Sequence, residues 1–177
     1  DAWDLNEIAL LAKVLNPESI RKWRPITILP VLQKLYNIVV ARAGKLKQLP
    51  LMPHQHAFRK SYQSHEVVFC LRQLIEKSLE HNVPLFLFDG DLEKAYDNVD
   101  HGVWAQSFSA AGVPAPITAA LIREARRSKT VLKLPGIPQT APIPKTRGLP
   151  QGGPDAPMCF NVVADQSLVR PFLQLCS

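Results

Sequence analysis

The 177-residue sequence has no apolar run approaching the roughly 20 residues that a membrane-spanning helix needs. A secretory leader is also missing. The start, Asp1-Ala2-Trp3-Asp4, is acidic and lacks the basic and apolar stretches of a signal peptide. It opens on Asp rather than Met, as a truncated or processed N-terminus would. Cysteine is scarce: Cys70, Cys159 and Cys176 are odd in number and far apart. That argues against a disulfide framework and fits a reducing compartment, with buried free thiols. His54 and His56 are close, but no Cys or second His pair stands at ligand spacing, so no zinc site is expected. Repeats and low-complexity tracts are absent. Charged residues make up only 20% and hydrophobic ones 46%, which excludes a disordered chain and supplies a core for one domain or two small subdomains.

Basic charge is in excess, at net +6, and unevenly spread. Residues 1–60 carry ten Lys/Arg against four Asp/Glu, residues 61–100 three against eight, and residues 101–177 eight against three. Two basic arms flank an acidic centre. Basic surface attracts phosphate backbones. An acidic cluster between such arms repels nucleic acid unless a divalent cation sits there. Charge alone equally describes solvated helix faces.

Residues 31–47 read as a helix with Leu32, Leu35, Val39 and Leu46 on one face. Residues 65–80 repeat the pattern with Val67, Leu71, Leu74 and Ile75, and Ser64 is placed to cap it. Pro84-Leu85-Phe86-Leu87-Phe88 is a short apolar run closed by Asp89-Gly90, the pattern of a buried central strand. A helix is expected from Pro116 through Ile117, Leu121 and Ala125 to Arg126-Arg127. Thr130–Leu134, Pro135-Gly136 and Ile137–Thr146 read as strand, turn and looser strand, in a stretch rich in proline. Met158, Val162, Val169 and Phe172 mark a last helix. Helices and a few antiparallel strands without regular alternation point to an α+β fold.

The chemistry concentrates at Phe88-Asp89-Gly90-Asp91-Leu92-Glu93-Lys94-Ala95-Tyr96-Asp97. If the strand continues, period-two alternation puts Asp89 and Asp91 on one side. Magnesium accepts one or two carboxylates plus substrate phosphates. The same residues also describe an Asp-Gly turn followed by a helix capped by Asp91.

Asp91-Leu92-Glu93-Lys94-Ala95-Tyr96-Asp97-Asn98-Val99-Asp100-His101 resembles motif A of reverse transcriptases in the form found in non-LTR retrotransposons. Arg147-Gly148-Leu149-Pro150-Gln151-Gly152-Gly153-Pro154, with Pro157-Met158-Cys159-Phe160-Asn161, resembles motif B. Trp23-Arg24-Pro25-Ile26-Thr27-Ile28-Leu29 is similar to the fingers motif that precedes them. The three occur in the family's order, and the resemblance covers about residues 18–177. It implies a right-hand polymerase fold: an N-terminal flank at 1–17, fingers at about 18–84 and a partial palm at about 85–177. It makes Asp91 the catalytic metal ligand and brings the Leu92 backbone carbonyl to a second ion. Tyr96 takes the steric-gate position under the incoming sugar. Arg24, with Lys22 as the weaker candidate, holds the triphosphate, because a guanidinium forks onto phosphate oxygens. Gly148, Gln151, Gly152 and Gly153 form the turn against the nascent base pair, with Gln151 offering both donor and acceptor to the nucleotide.

The resemblance therefore implies an RNA-directed DNA polymerase of a retroelement. Its partners are an RNA template, a DNA primer and deoxynucleoside triphosphates, and two Mg2+ ions serve as cofactors. Gln55-His56-Ala57-Phe58 departs from a fingers motif that has Gly where Ala57 stands, and Ala156 replaces a Ser of motif B. The family's aromatic-x-Asp-Asp motif and thumb do not occur within these residues, so the 177 residues alone are not expected to polymerise. An inactive nucleic-acid-binding remnant and a maturase-like reverse transcriptase are the alternative readings.

Overall fold

The computed structural model describes residues 3–133, 136, 138–150 and 152–175. The fold is mixed α and β, with one four-stranded sheet of order β2-β1-β3-β4. β1 (Leu5–Ala12) is an inner strand. It pairs antiparallel with β2 (Trp23–Ile28) and parallel with β3 (Lys129–Leu132). A two-residue β4 (Ile143–Pro144) closes the other edge against β3. The segment set apart as a flank therefore supplies an inner strand, and its parallel pairing departs from the expected all-antiparallel arrangement. β2 carries β-branched Ile26, Thr27 and Ile28, which suit a pleated strand. Pro25 fits because β2 is an edge, where a missing amide breaks no ladder. The side chain of Asn6, wholly buried, donates to Ser128 Oγ and ties β1 to the start of β3.

Four helices build the core: α1 (Val31–Ala43), α3 (His101–Ala110), α4 (Ala115–Arg127) and α5 (Ala156–Ala164). Trp104 and Phe108, one turn apart on α3, are 1% and 0% exposed and pack edge-to-face at 5.8 Å. Leu121, Leu149, Cys159 and Val162 close around them. α3 starts where Asp100 accepts from the Gly102 and Val103 amides at 2.7 and 3.2 Å, satisfying two of the free first-turn donors. α5 runs on through a π-helical stretch, Asp165–Val169, into α6 (Arg170–Leu175), the single last helix expected.

Several expectations are corrected. α1 forms, but Leu32, Leu35 and Val39 face out. The buried positions are Gln33, Asn37, Val40 and Ala41, with Leu46 buried just beyond the helix. Asn37 Nδ2 donates to the buried Asp155 at 3.0 Å, so a polar pair decides which face turns inward. α2 (Ser64–His81) buries none of its residues, Cys70 included. Its cap is Gln63, in a reciprocal box with Glu66, rather than Ser64. Residues 84–88 form no strand: Phe86 and Phe88 are 91% and 90% exposed, because no neighbouring strand pairs with them. Asp165 is fully buried. It accepts from Met52 N and Arg170 Nε, each at 2.7 Å. Leu134, Pro135, Ile137 and Cys176 lie outside the described residues, so the strand limit and turn placed there are left at Leu132 and Gly136. Among the described residues no helix is long and apolar enough to cross a membrane.

Candidate active-site framework

The segment Glu93–Val99 is a compact turn. Asp97 N and Asn98 N donate to Lys94 O at 2.9 and 3.1 Å, and Asn98 Nδ2 donates to Glu93 O at 2.8 Å. Lys94 takes a positive φ of 49° to allow it. Arg147–Pro150 lies directly against this turn. Gly148 N donates to Val99 O and Leu149 N to Tyr96 O, both at 2.8 Å. Gly148 (φ 87°) has no space for a β-carbon, which would lie 2.8 Å from the Asp97 Cα. Gly152 (φ 113°) is equally confined: a β-carbon would run into the Thr27 carbonyl of β2. Two glycines thus bring three separate segments into backbone contact, the close approach that only glycine permits. Gly153 follows, its amide bonded to Pro150 O at 2.8 Å.

Tyr96 is partly buried and stacks on Phe160 of α5, with ring centroids 4.9 Å apart and planes at 25°. Burial pushes its phenol above the ordinary value. The structure therefore gathers Tyr96, Gly148, Gly152 and Gly153. Asp91 and Leu92 stand apart on the exposed segment that precedes the turn. Asp91 makes no hydrogen bond or ion pair among the described residues. Arg24 and Lys22 are exposed on β2 and the short helix before it. Gln151 lies outside the described residues.

Two side chains that sequence reasoning missed border the same turn. Lys145 Nζ donates to Leu149 O at 2.9 Å. Burial lowers its ammonium, and the nearby Asp97 carboxylate partly opposes this. His101, 3% exposed, places Nε2 3.2 Å from Gly148 O. Burial holds its imidazole below the ordinary value; the Gly148 carbonyl pulls the other way. The run Asp100-His101-Gly102-Val103 carries a helix-cap signal, but no spacing rule announces a bond to a residue 47 positions away.

Hard oxygen donors are present at Asp91 and the Leu92 carbonyl, both open to solvent. Among the described residues no three His, Cys, Asp or Glu side chains are gathered as a metal cage. The donor set thus fits a site of one carboxylate plus substrate phosphates, not a self-contained cation cage.

Comparison with known proteins bears on this framework directly. The sequence pattern of the family described as reverse transcriptase (RNA-dependent DNA polymerase) matches residues 14–174. That match takes in β2, the turn after Asp91 and the Gly148–Gly153 turn. A "Retrovirus-related Pol polyprotein from type-1 retrotransposable element R2" of Popillia japonica is 26% identical over 170 residues, 94% of this chain. The chain spans 23% of that relative's length. With the matched region covering all three segments that Gly148 and Gly152 draw together, the chain belongs to the reverse transcriptase family.

Proposed function

We propose that this chain handles template and nucleotide in a retroelement reverse transcriptase of non-LTR type. The reaction extends a DNA primer 3′-hydroxyl with deoxynucleotides on an RNA template. The observation that carries the reading is the backbone junction of Tyr96 and Val99 with Gly148 and Leu149. It fixes the aromatic ring and the glycine turn relative to each other, as positioning-based catalysis requires. The name of the R2 relative supports the retroelement assignment.

In this reading residues of about 18–84 act as fingers and about 85–177 as palm, with β1 from the segment before them built into their sheet. Asp91 and the Leu92 carbonyl would hold magnesium, which when bound activates the 3′-hydroxyl and offsets charge on the leaving pyrophosphate. Arg24 and Lys22 receive the triphosphate. Tyr96, braced by Phe160, blocks a 2′-hydroxyl by steric clash. Gly148, Gly152 and Gly153 would let the turn come close to the nascent pair, and Gln151 would offer it donor and acceptor together.

The test is primer extension on an RNA template by the polypeptide as encoded, with whatever flanks residues 1–177. Magnesium-dependent extension abolished by Asp91→Asn, with template binding retained, is the expected result. Nucleic-acid binding without extension in magnesium or manganese would instead establish a passive binder, and extension indifferent to Asp91→Asn would overturn the site.

A further inference from the structure

We propose that His101 is a positioning residue for the Gly148 turn, gripping its carbonyl from the first position of α3 while Arg126 of α4 orients the ring. As regards catalysis, the inference rests on the function proposed above. The structural claim stands without it.

The geometry defines each atom's part. Arg126 Nε lies 3.4 Å from His101 Nδ1. A guanidinium nitrogen can only donate, so Nδ1 is the acceptor and the ring proton sits on Nε2. Nε2–H therefore donates to Gly148 O at 3.2 Å. The opposite side of this turn is held by the amides of Gly148 and Leu149, bonded to Val99 and Tyr96. His101 supplies the grip on the carbonyl side. Gly148 is buried, so its carbonyl has the imidazole for a donor where water has little access. A buried carbonyl stripped of its donor carries a desolvation penalty, so its loop is driven to reorganise toward water.

The support for the ring is rigid. Asp100 caps α3 and so fixes where His101 leaves the backbone. Trp104 lies against the imidazole, with ring centroids 6.0 Å apart, and is itself buried in the core. Arg126 is exposed on the wall of a cleft between α3 and α4 that His101 also lines. A single line of contacts thus runs from a solvent-facing guanidinium to the backbone of a turn that the family places beside the nascent base pair.

A histidine that merely fills core volume would give a different mutational pattern. The comparison uses the encoded polypeptide carrying His101→Phe, which keeps bulk without the donor, and His101→Gln, whose amide nitrogen reaches about as far as Nε2. For His101→Phe, amide hydrogen exchange at Gly148 and Leu149 is expected to rise about tenfold while Trp104–Phe108 of α3 stays protected; tenfold is the scale of one hydrogen bond's net stabilisation. KM for the deoxynucleotide is expected to rise severalfold, and His101→Gln to restore both readouts. Arg126→Met, a surface change that leaves the core intact, is expected to loosen the same two amides to a smaller degree. Equal protection of Gly148 in wild type, His101→Phe and Arg126→Met would overturn the proposal. So would failure of His101→Gln to rescue a loosened turn. If no variant, wild type included, extends primers, the exchange readout still decides the positioning role, and only the proposed function falls.

Discussion

The α-carbon of Gly148 faces the backbone of Asp97 with no room between them. A β-carbon at Gly148 would lie 2.8 Å from both the Asp97 α-carbon and its carbonyl oxygen. Two penalties follow for Gly148→Ala: about 1–3 kcal/mol for a side chain at positive φ and about 1–3 kcal/mol for overpacking. A loss of roughly 2–4 kcal/mol is expected in urea unfolding, as their partial sum. Gly112, also at positive φ (78°) but with nothing within 4 Å of its would-be β-carbon, is the control. Gly112→Ala should cost only about 1 kcal/mol, the strain alone. Equal losses at the two sites would show that the Asp97 contact is absent.

Phe108 and Phe86 are chemically identical and structurally opposite, at 0% and 91% exposed. Phe108→Ala is expected to cost about 3–5 kcal/mol through lost burial and a residual cavity. Phe86→Ala should stay within about 0.5 kcal/mol, as surface changes do. Denaturant midpoints of the two variants of the 177-residue chain check this. A large loss at Phe86 would mean that the run 84–88 is part of the core after all.

Arg170 holds the buried Asp165 carboxylate at 2.7 Å and also donates to Pro50 O at 3.0 Å. Arg170→Ala leaves that carboxylate with the Met52 amide and the Gln166 side chain as its donors. Breaking one side of a buried pair costs about 3–5 kcal/mol. About 2–4 kcal/mol is expected here, because the guanidinium is partly in water. The double variant Arg170→Ala/Asp165→Asn should recover part of the loss, read from the same unfolding curves. No recovery would show that packing of the arginine stem, not charge, is what matters.

His101 gives stability a pH dependence of definite sign. Burial lowers its folded value below the ordinary 6.5. The Gly148 carbonyl and Asp100 oppose the shift, while Arg126 and Lys145 reinforce it. The unfolded chain then takes up a proton near pH 6.5 while the folded chain still refuses one. Stability from this group is complete above about pH 6.5 and is lost as pH falls toward the lower folded value. His101→Gln should flatten this part of the stability profile between about pH 7 and 5. A slope unchanged in the variant would place the titration elsewhere.

Sequence reasoning located the segments of the site better than their surroundings. The glycines at 148 and 152 were singled out for an approach to the nascent base pair; the close approach the structure shows is a different one, to the backbone of Asp97 and Thr27. α4 was legible too, since Leu121 and Ala125 are both the apolar and the buried positions. α1 was misread for the opposite reason. Its inward face is chosen by Asn37 reaching a buried Asp155, and hydrophobic spacing cannot register a polar pair 118 residues apart. β1 was hidden because one of its partners, β3, lies more than a hundred residues away in sequence. The apolar run 84–88 had the composition of a central strand, but a strand also needs a neighbour to bond with, and its own sequence cannot supply one.

α2 shares none of its residues with the core. Its helicity rests on the Gln63–Glu66 box, the Asn82 cap (φ 51°), and the exposed pairs Arg72–Glu76 and Lys77–Glu80. Each of those pairs adds only about 0.3–0.5 kcal/mol, and salt screens it. Among the described residues α2 is tied outward by the partly exposed His56–Glu66 pair at 3.5 Å, which does not touch Trp104 or Phe108. In calorimetric terms the chain is therefore not one cooperative unit. Helical signal from α2 should drain away gradually on warming, as in an isolated peptide, beneath the sharp transition of the core.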